Sequence, residues 1–224
     1  MQHEIAPGRP FPLGLTLDAD GANLAVFSAH AERIDLCLFD ATGARQTAVL
    51  TLPERTDGVF HGYVPGLRAG QRYGLRAHGP WAPERGHRFN PHRLLVDPYA
   101  KAVAGTFRWE GPNLVDRDAP LVFDPRDSAA LVPKGVAVPP LPTLASGPDQ
   151  PWATTVLYEA HVRGLTRLHP EVPERLRGTY LGLAQPAVLD HLVRLGVTAV
   201  ELMPIHYHID DRFLVEKGLV KGGA

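Results

Sequence analysis

Long apolar runs, cysteine and an excess of either charge are what these 224 residues have little of. No stretch approaches the length of a membrane-spanning helix, so no membrane partner is expected. The net charge is −1, with acidic and basic residues interspersed, which builds no field for nucleic acid or anionic lipid. A neutral ligand, or one recognised locally, fits better. The single cysteine, Cys37, excludes an internal disulfide. With no signal peptide at the N-terminus, a reducing cytoplasm is the expected compartment. Cys37 lies in an apolar alternation and reads as a buried, inert thiol rather than a nucleophile. Nucleotide, flavin and redox motifs are missing too, so no cofactor is expected.

Proline is abundant. Its 22 copies are roughly double the average share and cluster in residues 80–98 and 120–151, marking loops and a linker. Hydrophobic residues make up 44% and charged residues 21%, the range of an ordinary globular protein. The length allows one large domain or two small ones.

Residues 11–77 read as a meander of short strands. Ile34, Leu36 and Leu38 alternate with Asp35, Cys37 and Phe39. Residues 23–28, 59–64 and 72–77 are further strand candidates. Turn signals stand between them at Asp20-Gly21, Thr42-Gly43, Asp57-Gly58 and Pro65-Gly66. This spacing predicts an all-β, immunoglobulin-like antiparallel sandwich over residues 1–105. Residues 106–151 read as a proline-rich linker or surface excursion. After Trp152 the pattern changes. Strands are predicted over 155–162 and 197–203. Between them lies a helix over 186–195, with Pro186 at its first position, a stripe of Val188, Leu189, Leu192 and Leu195, and Gly196 as its cap. Strand, helix, strand is a βαβ unit and implies a parallel sheet in residues 152–224.

Residues 79–100, GPWAPERGHRFNPHRLLVDPYA, have neither strand nor helix period. They carry Trp81, Phe89 and Tyr99, which are costly to leave in water. An ordered crossing that packs on something C-terminal to it is expected.

That run, with the β-module before it, resembles the N-terminal region of bacterial glycogen debranching enzymes and isoamylases. LYEAHVRGLT (157–166) resembles the first barrel strand of that family, GTYLGL (178–183) the short loop before its first helix, and LGVTAVELMPIH (195–206) the helix end and second strand. DDRFLVEKGL (210–219) is similar to the loop that follows. The resemblance implies a carbohydrate-binding module of the glycogen-enzyme type, followed by a truncated α/β TIM barrel of the alpha-amylase class. It implies hydrolysis of α-1,6 branch points in glycogen and limit dextrin by a retaining mechanism with two carboxyl groups. It makes an α-glucan the partner and requires no cofactor. The family's catalytic positions have no match here, so no catalytic residue is assigned and the chain alone is expected to be inactive. The similarity breaks off within a motif, which suggests a truncated reading frame. Residues 152–224 are then expected to be marginally stable, with the β-module better ordered. A non-enzymatic glucan-binding or docking module, and a fragment without function, are the competing readings. The oligomeric state is left open.

Candidate site residues follow. His206, by analogy at the lip of a sugar cleft, and Trp81, whose flat ring suits an apolar sugar face, are the substrate-binding candidates. Trp109 could stack on a sugar in the same way; packing between module and barrel is the alternative for both, and the favoured one for Trp81. His206, His208 and Asp210 would share a face if the strand continued, but a loop is expected after Pro204, so no metal site is assigned. Arg85, Arg88 and Arg93 read as loop-fixing donors. Asp210-Asp211 reads as a solvated pair. Glu159, His161 and Arg163 are expected to alternate on one strand face, and neither Glu159 nor Glu201 is taken as catalytic.

Overall fold

The structure is a computed structural model that describes residues 4–114, 121–140, 147 and 149–220. Parts of the expected linker (115–120, 141–146 and 148) and residues 221–224 lie outside the described residues. The chain forms two compact units: residues 1–142 with 208–224, and residues 143–207.

The first unit is built on the predicted meander. Its strands are β1 (Gly14–Leu17), β2 (Gly21–Phe27), β3 (Arg33–Phe39), β4 (Gln46–Thr51), β5 (Glu54–Thr56), β6 (Val59–Pro65) and β7 (Arg72–His78). Short strands β8 (Trp81–Ala82), β9 (His87–Arg88), β10 (Val103–Ala104) and β11 (Lys134–Val136) follow. One sheet has the order β1-β2-β6-β5 and the other β10-β11-β7-β3-β4. All pairings in both are antiparallel. Leu24 and Val64 of the first sheet share a core with Leu36, Leu38 and Tyr73 of the second. A core shared by two sheets is the sandwich expected from the alternation. Each fully buried leucine there contributes about 1.5–3 kcal/mol of transfer free energy. The β5–β6 turn has positive φ at both Asp57 (49°) and Gly58 (83°), the geometry of a tight hairpin turn.

The outer face of the second sheet is covered as well. Cys37 and Phe39 of β3 are buried there with Leu94 and Val132. Leu94 lies so close to β7 that a Cβ on Gly74 would meet it at 2.9 Å, so Gly74 lets the crossing seat itself. Residues 79–100 therefore pack on their own module. Buried Asp97 fastens them: its Oδ2 accepts from the Tyr73 hydroxyl at 2.8 Å and from the Leu15 N–H at 3.3 Å. Burial and the Asp97 charge together push the Tyr73 hydroxyl far above its ordinary pKa. Trp81 and Phe89 are half-buried as expected, whereas Tyr99 remains 48% exposed.

The linker expectation needs correction. Within residues 106–151, β11 pairs with both β7 and β10 and belongs to the sandwich. A three-residue strand reading Lys-Gly-Val carries too little alternation to announce itself.

The second unit contains β12 (Leu157–Ala160), α1 (Val162–Thr166), α2 (Tyr180–Leu183), α3 (Pro186–Arg194) and β13 (Ala199–Leu202). β12 and β13 pair in parallel, Leu157 opposite Ala199 through Ala160 opposite Leu202, which is the predicted βαβ unit. Its core is small: Val172, Val188 and Leu192, with Tyr158, Leu165, Leu176 and Val197 against them. The predicted α3 stripe is only half realised, since Leu189 and Leu195 are 48% and 54% exposed. The β12 strand is shorter than predicted. His161 ends it by capping α1, its Nδ1 accepting from the Arg163 and Gly164 N–H groups at 3.1 Å. Glu159, His161 and Arg163 therefore do not share a strand face. The GTYLGL segment, read as a loop, is a helix capped by the Thr179 side chain.

Residues 208–220 return to the first unit, where α4 (Arg212–Glu216) lies.

Candidate functional site

A recess of mixed polar and apolar lining on the first unit runs along the crossing from Gly86 to Leu95. It has a volume of about 380 Å³ and is lined by His30, Ala77, His87, Phe89, Arg93 and Leu95, among others. That volume lies within the range of small-molecule sites. β9 fixes His87 by pairing Ala82 with it and Trp81 with Arg88. The His87 ring stacks near Phe89 (centroids 6.4 Å, 25°), and His30 meets it edge-on at 4.8 Å. Three flat rings thus line one wall, a surface suited to the apolar face of a sugar.

Arg93 supplies the polar side. Its Nη2 donates to Asp124 Oδ2 at 2.8 Å. Its Nη1 is buried and has no hydrogen-bond partner among the described residues. A buried donor of this kind is completed by a ligand oxygen or by water. The Arg126 hydrogen bond, with help from Arg93, holds the Asp124 carboxyl well below the usual carboxylate range. Asn90 braces the same loop, donating to the Asp124 carbonyl at 2.8 Å and accepting from the His92 N–H at 2.9 Å. Arg93 therefore fixes a loop, as expected, while Arg85 and Arg88 are exposed.

The other sequence candidates are distributed as follows. The Trp81 N–H donates to the Leu121 carbonyl at 3.1 Å, and its ring meets Phe123 edge-on at 5.3 Å. Its packing partner is thus a segment of its own unit. The Trp109 N–H donates to the Asp210 carbonyl at 2.8 Å, and its ring packs edge-on against Phe107. His206 is exposed in irregular chain after β13, which ends at Leu202. His208 and Asp210 approach only to 4.0 Å. Among the described residues no three of His, Cys, Asp and Glu converge as a metal cluster. Glu159 and Glu201 are paired in register and exposed. Cys37 is fully buried, and burial pushes its thiol up to about 11. Among the described residues no helix is long and apolar enough to cross a membrane. His30, His87 and Phe89 were missed in the sequence because neither histidine stands in a catalytic or ligating pattern. The crossing's density of aromatic and basic residues was the available signal.

Residues 12–100 match the family model of carbohydrate-binding module 48, described as the isoamylase N-terminal domain. The matched residues end with the crossing, so the lining of the recess and Asp97 both lie within them. Over 217 residues, 96% of this chain, the sequence is 47% identical to a glycogen debranching enzyme of Yersinia enterocolitica. It is 48% identical over the same length to one of Yersinia pseudotuberculosis. In each case the chain spans 32% of the relative's length. Among solved structures it resembles a Paenibacillus barengoltzii pullulanase in complex with maltohexaose and alpha-cyclodextrin. There the TM-score is 0.59 at 22% identity, covering 94% of this chain and 29% of that one. It also resembles the catalytic module of the glycogen-degrading pneumococcal virulence factor SpuA (TM-score 0.62, 23% identity, 90% and 28% covered). At these identities the structural matches speak for the fold alone.

Proposed function

We propose that this chain is the glucan-engaging portion of a debranching-type glycoside hydrolase that cleaves α-1,6 branch linkages of glycogen and limit dextrin. The observation that carries the reading is the identity of nearly half over 96% of the chain to glycogen debranching enzymes, joined to a carbohydrate-binding module at residues 12–100. In this reading the parallel β12–β13 pair with α3 opens a TIM barrel. The hydrolytic carboxyl groups are not among these residues, so the chain binds α-glucan without cleaving it. It acts in the cytoplasm and needs no cofactor, nucleic acid or membrane.

The aromatic wall of the recess supplies the sugar surface, and the unpartnered Arg93 Nη1 supplies a directed donor. Trp81 and His206 remain substrate-side candidates. The occupied N–H of Trp81 leaves only its ring face for a sugar.

Native gel electrophoresis through glycogen or β-cyclodextrin tests the reading. The chain should be retarded, and Phe89→Ala and His87→Ala should each weaken retardation about tenfold, the effect of removing one stacking surface with its contacts. Unchanged mobility in both glucans would overturn it. Reducing-sugar release from a branched glucan should stay at background. Release above background would show that the chain itself carries the hydrolytic groups.

A further inference from the structure

A second cavity lies on the same unit and has a different character. Its volume is about 300 Å³, and its lining includes Arg72, Arg108, Lys134, Thr42, Thr106 and Gly105. Three cationic side chains line it and no carboxylate does. Two of the nearby acids are engaged elsewhere, and a third meets Arg108 in an exposed pair. Asp40 accepts from the Thr42 hydroxyl and the Ala44 N–H, Asp127 pairs with Arg76 at 2.8 Å, and Glu110 approaches Arg108 at 3.3 Å from the exposed side.

Lys134 is the most unusual member. It is 96% buried, and its ammonium group is held by the carbonyls of Ala129 and Val132, with the Phe39 ring 5.0 Å away. Carbonyls neutralise no charge, and a third ammonium hydrogen has no acceptor among the described residues. Burial, reinforced by the Arg72 charge and partly opposed by that of Asp127, pulls the lysine below its ordinary pKa. The two arginines are oriented by the chain. Arg72 Nη1 donates to the Thr42 carbonyl at 2.6 Å and Arg108 Nη2 to the Ala130 carbonyl at 2.9 Å. Each guanidinium has further N–H groups to give, and the Thr106 hydroxyl adds another donor.

Collecting three like charges around an open space, with only the exposed Glu110 against them, is unfavourable unless something negative occupies it. A tetrahedral oxyanion has the several acceptor oxygens that such a set of donors matches. We propose that this cavity, walled by Arg72, Arg108 and Lys134, binds a phosphoryl group, either as free phosphate or carried on a sugar. It is separate in lining residues from the aromatic recess, so the module would have one site for a neutral sugar surface and another for an anion.

Phosphorus NMR and calorimetric titration of the full chain test this, with inorganic phosphate and glucose 1-phosphate as probes at constant ionic strength set with chloride. Saturable binding of at least one probe is expected. Arg108→Gln, an exposed side chain whose loss leaves the fold intact, and Arg72→Lys should each weaken it about tenfold, the loss of one charge-assisted pair. Arg68→Gln, on a cation outside the cavity, should leave it unchanged. Tighter binding of glucose 1-phosphate than of phosphate would assign the site to sugar phosphates, and equal binding to the phosphoryl group alone. No saturable binding above chloride, or equal losses in the Arg68 and Arg108 variants, would overturn the proposal.

Discussion

The sandwich and the βαβ unit solve the same problem with unequal success. Both carry apolar strands of similar character. In the sandwich, β3 is buried on both faces, by the facing sheet on one side and by Leu94 and Val132 on the other. In the βαβ unit, β12 and β13 have most of their residues exposed or half-exposed, with Leu157 at 59% and Val200 at 45%. Val193, Leu168 and Trp152 are more exposed still. A parallel pair of strands is ordinarily covered on both faces, and two strands fall short of what a sheet needs for independent stability. Apolar composition alone therefore does not make a core; coverage does.

The largest expected effect is in hydrogen exchange. Amides of β3 and β7 should exchange about 100-fold or more slowly than those of β12 and β13, because exchange follows local opening free energy. Equal protection in the two units would break the comparison. Next come truncations in the two cores. Leu36→Ala should destabilise the sandwich by about 3–4 kcal/mol, while Val172→Ala should lower only the unfolding transition of the βαβ unit, by about 2 kcal/mol. Separate tryptophan and far-ultraviolet melts would read this, and a shift of both transitions by either variant would join the units thermodynamically. Asp97→Ala leaves the Tyr73 hydroxyl and the Leu15 N–H without their acceptor and should cost about 3 kcal/mol in the same melts. A loss below about 0.5 kcal/mol would mean that the crossing is not fastened there. The smallest effect is acidic. The Asp124 carboxyl titrates lower folded than unfolded, so its stabilisation is full above about pH 4 and is lost as the pH falls toward the folded value. Arg126→Gln should raise the acid-unfolding midpoint by a fraction of a pH unit.

The same contrast explains what was legible in the sequence. Short apolar-rich runs between Gly-containing turns revealed β2, β3, β6 and β7, because a strand can be only as long as the stretch between two turns. Helix α3 was legible in its bounds, from Pro186 to the residues before Gly196, but not in its burial. The stripe says which side chains share a face and says nothing of whether that face is covered. The chain's return at β11 was hidden because a lysine there is buried by carbonyl contacts and an aromatic face rather than by an apolar side chain. Asp97 was hidden because a lone acid beside proline reads as loop. At the sites, the crossing stood out as a whole, while His30 came from the β2–β3 connection and no local spacing joins it to His87. The resemblance identified the family that the module match bears out. It also suggested a seam toward the barrel, where the structure has Leu94 and Asp97 binding the crossing to its own module.

The pairing of β11 with β7 also sets an order in time. β7 ends at His78 and its partner begins at Lys134, with the crossing threaded between them. During synthesis the N-terminal strands can pair as soon as β7 has left the ribosome. The second sheet stays unfinished on one side until residue 136 emerges. Over that interval the Arg72–Tyr73 end of β7, beyond the Leu75–Leu95 bridge, lacks its partner and Phe39 lacks its Val132 cover. A nascent chain paused there would expose the surface most prone to mispairing, so the stretch that looks like spacer in the sequence is the latch that ends that exposure.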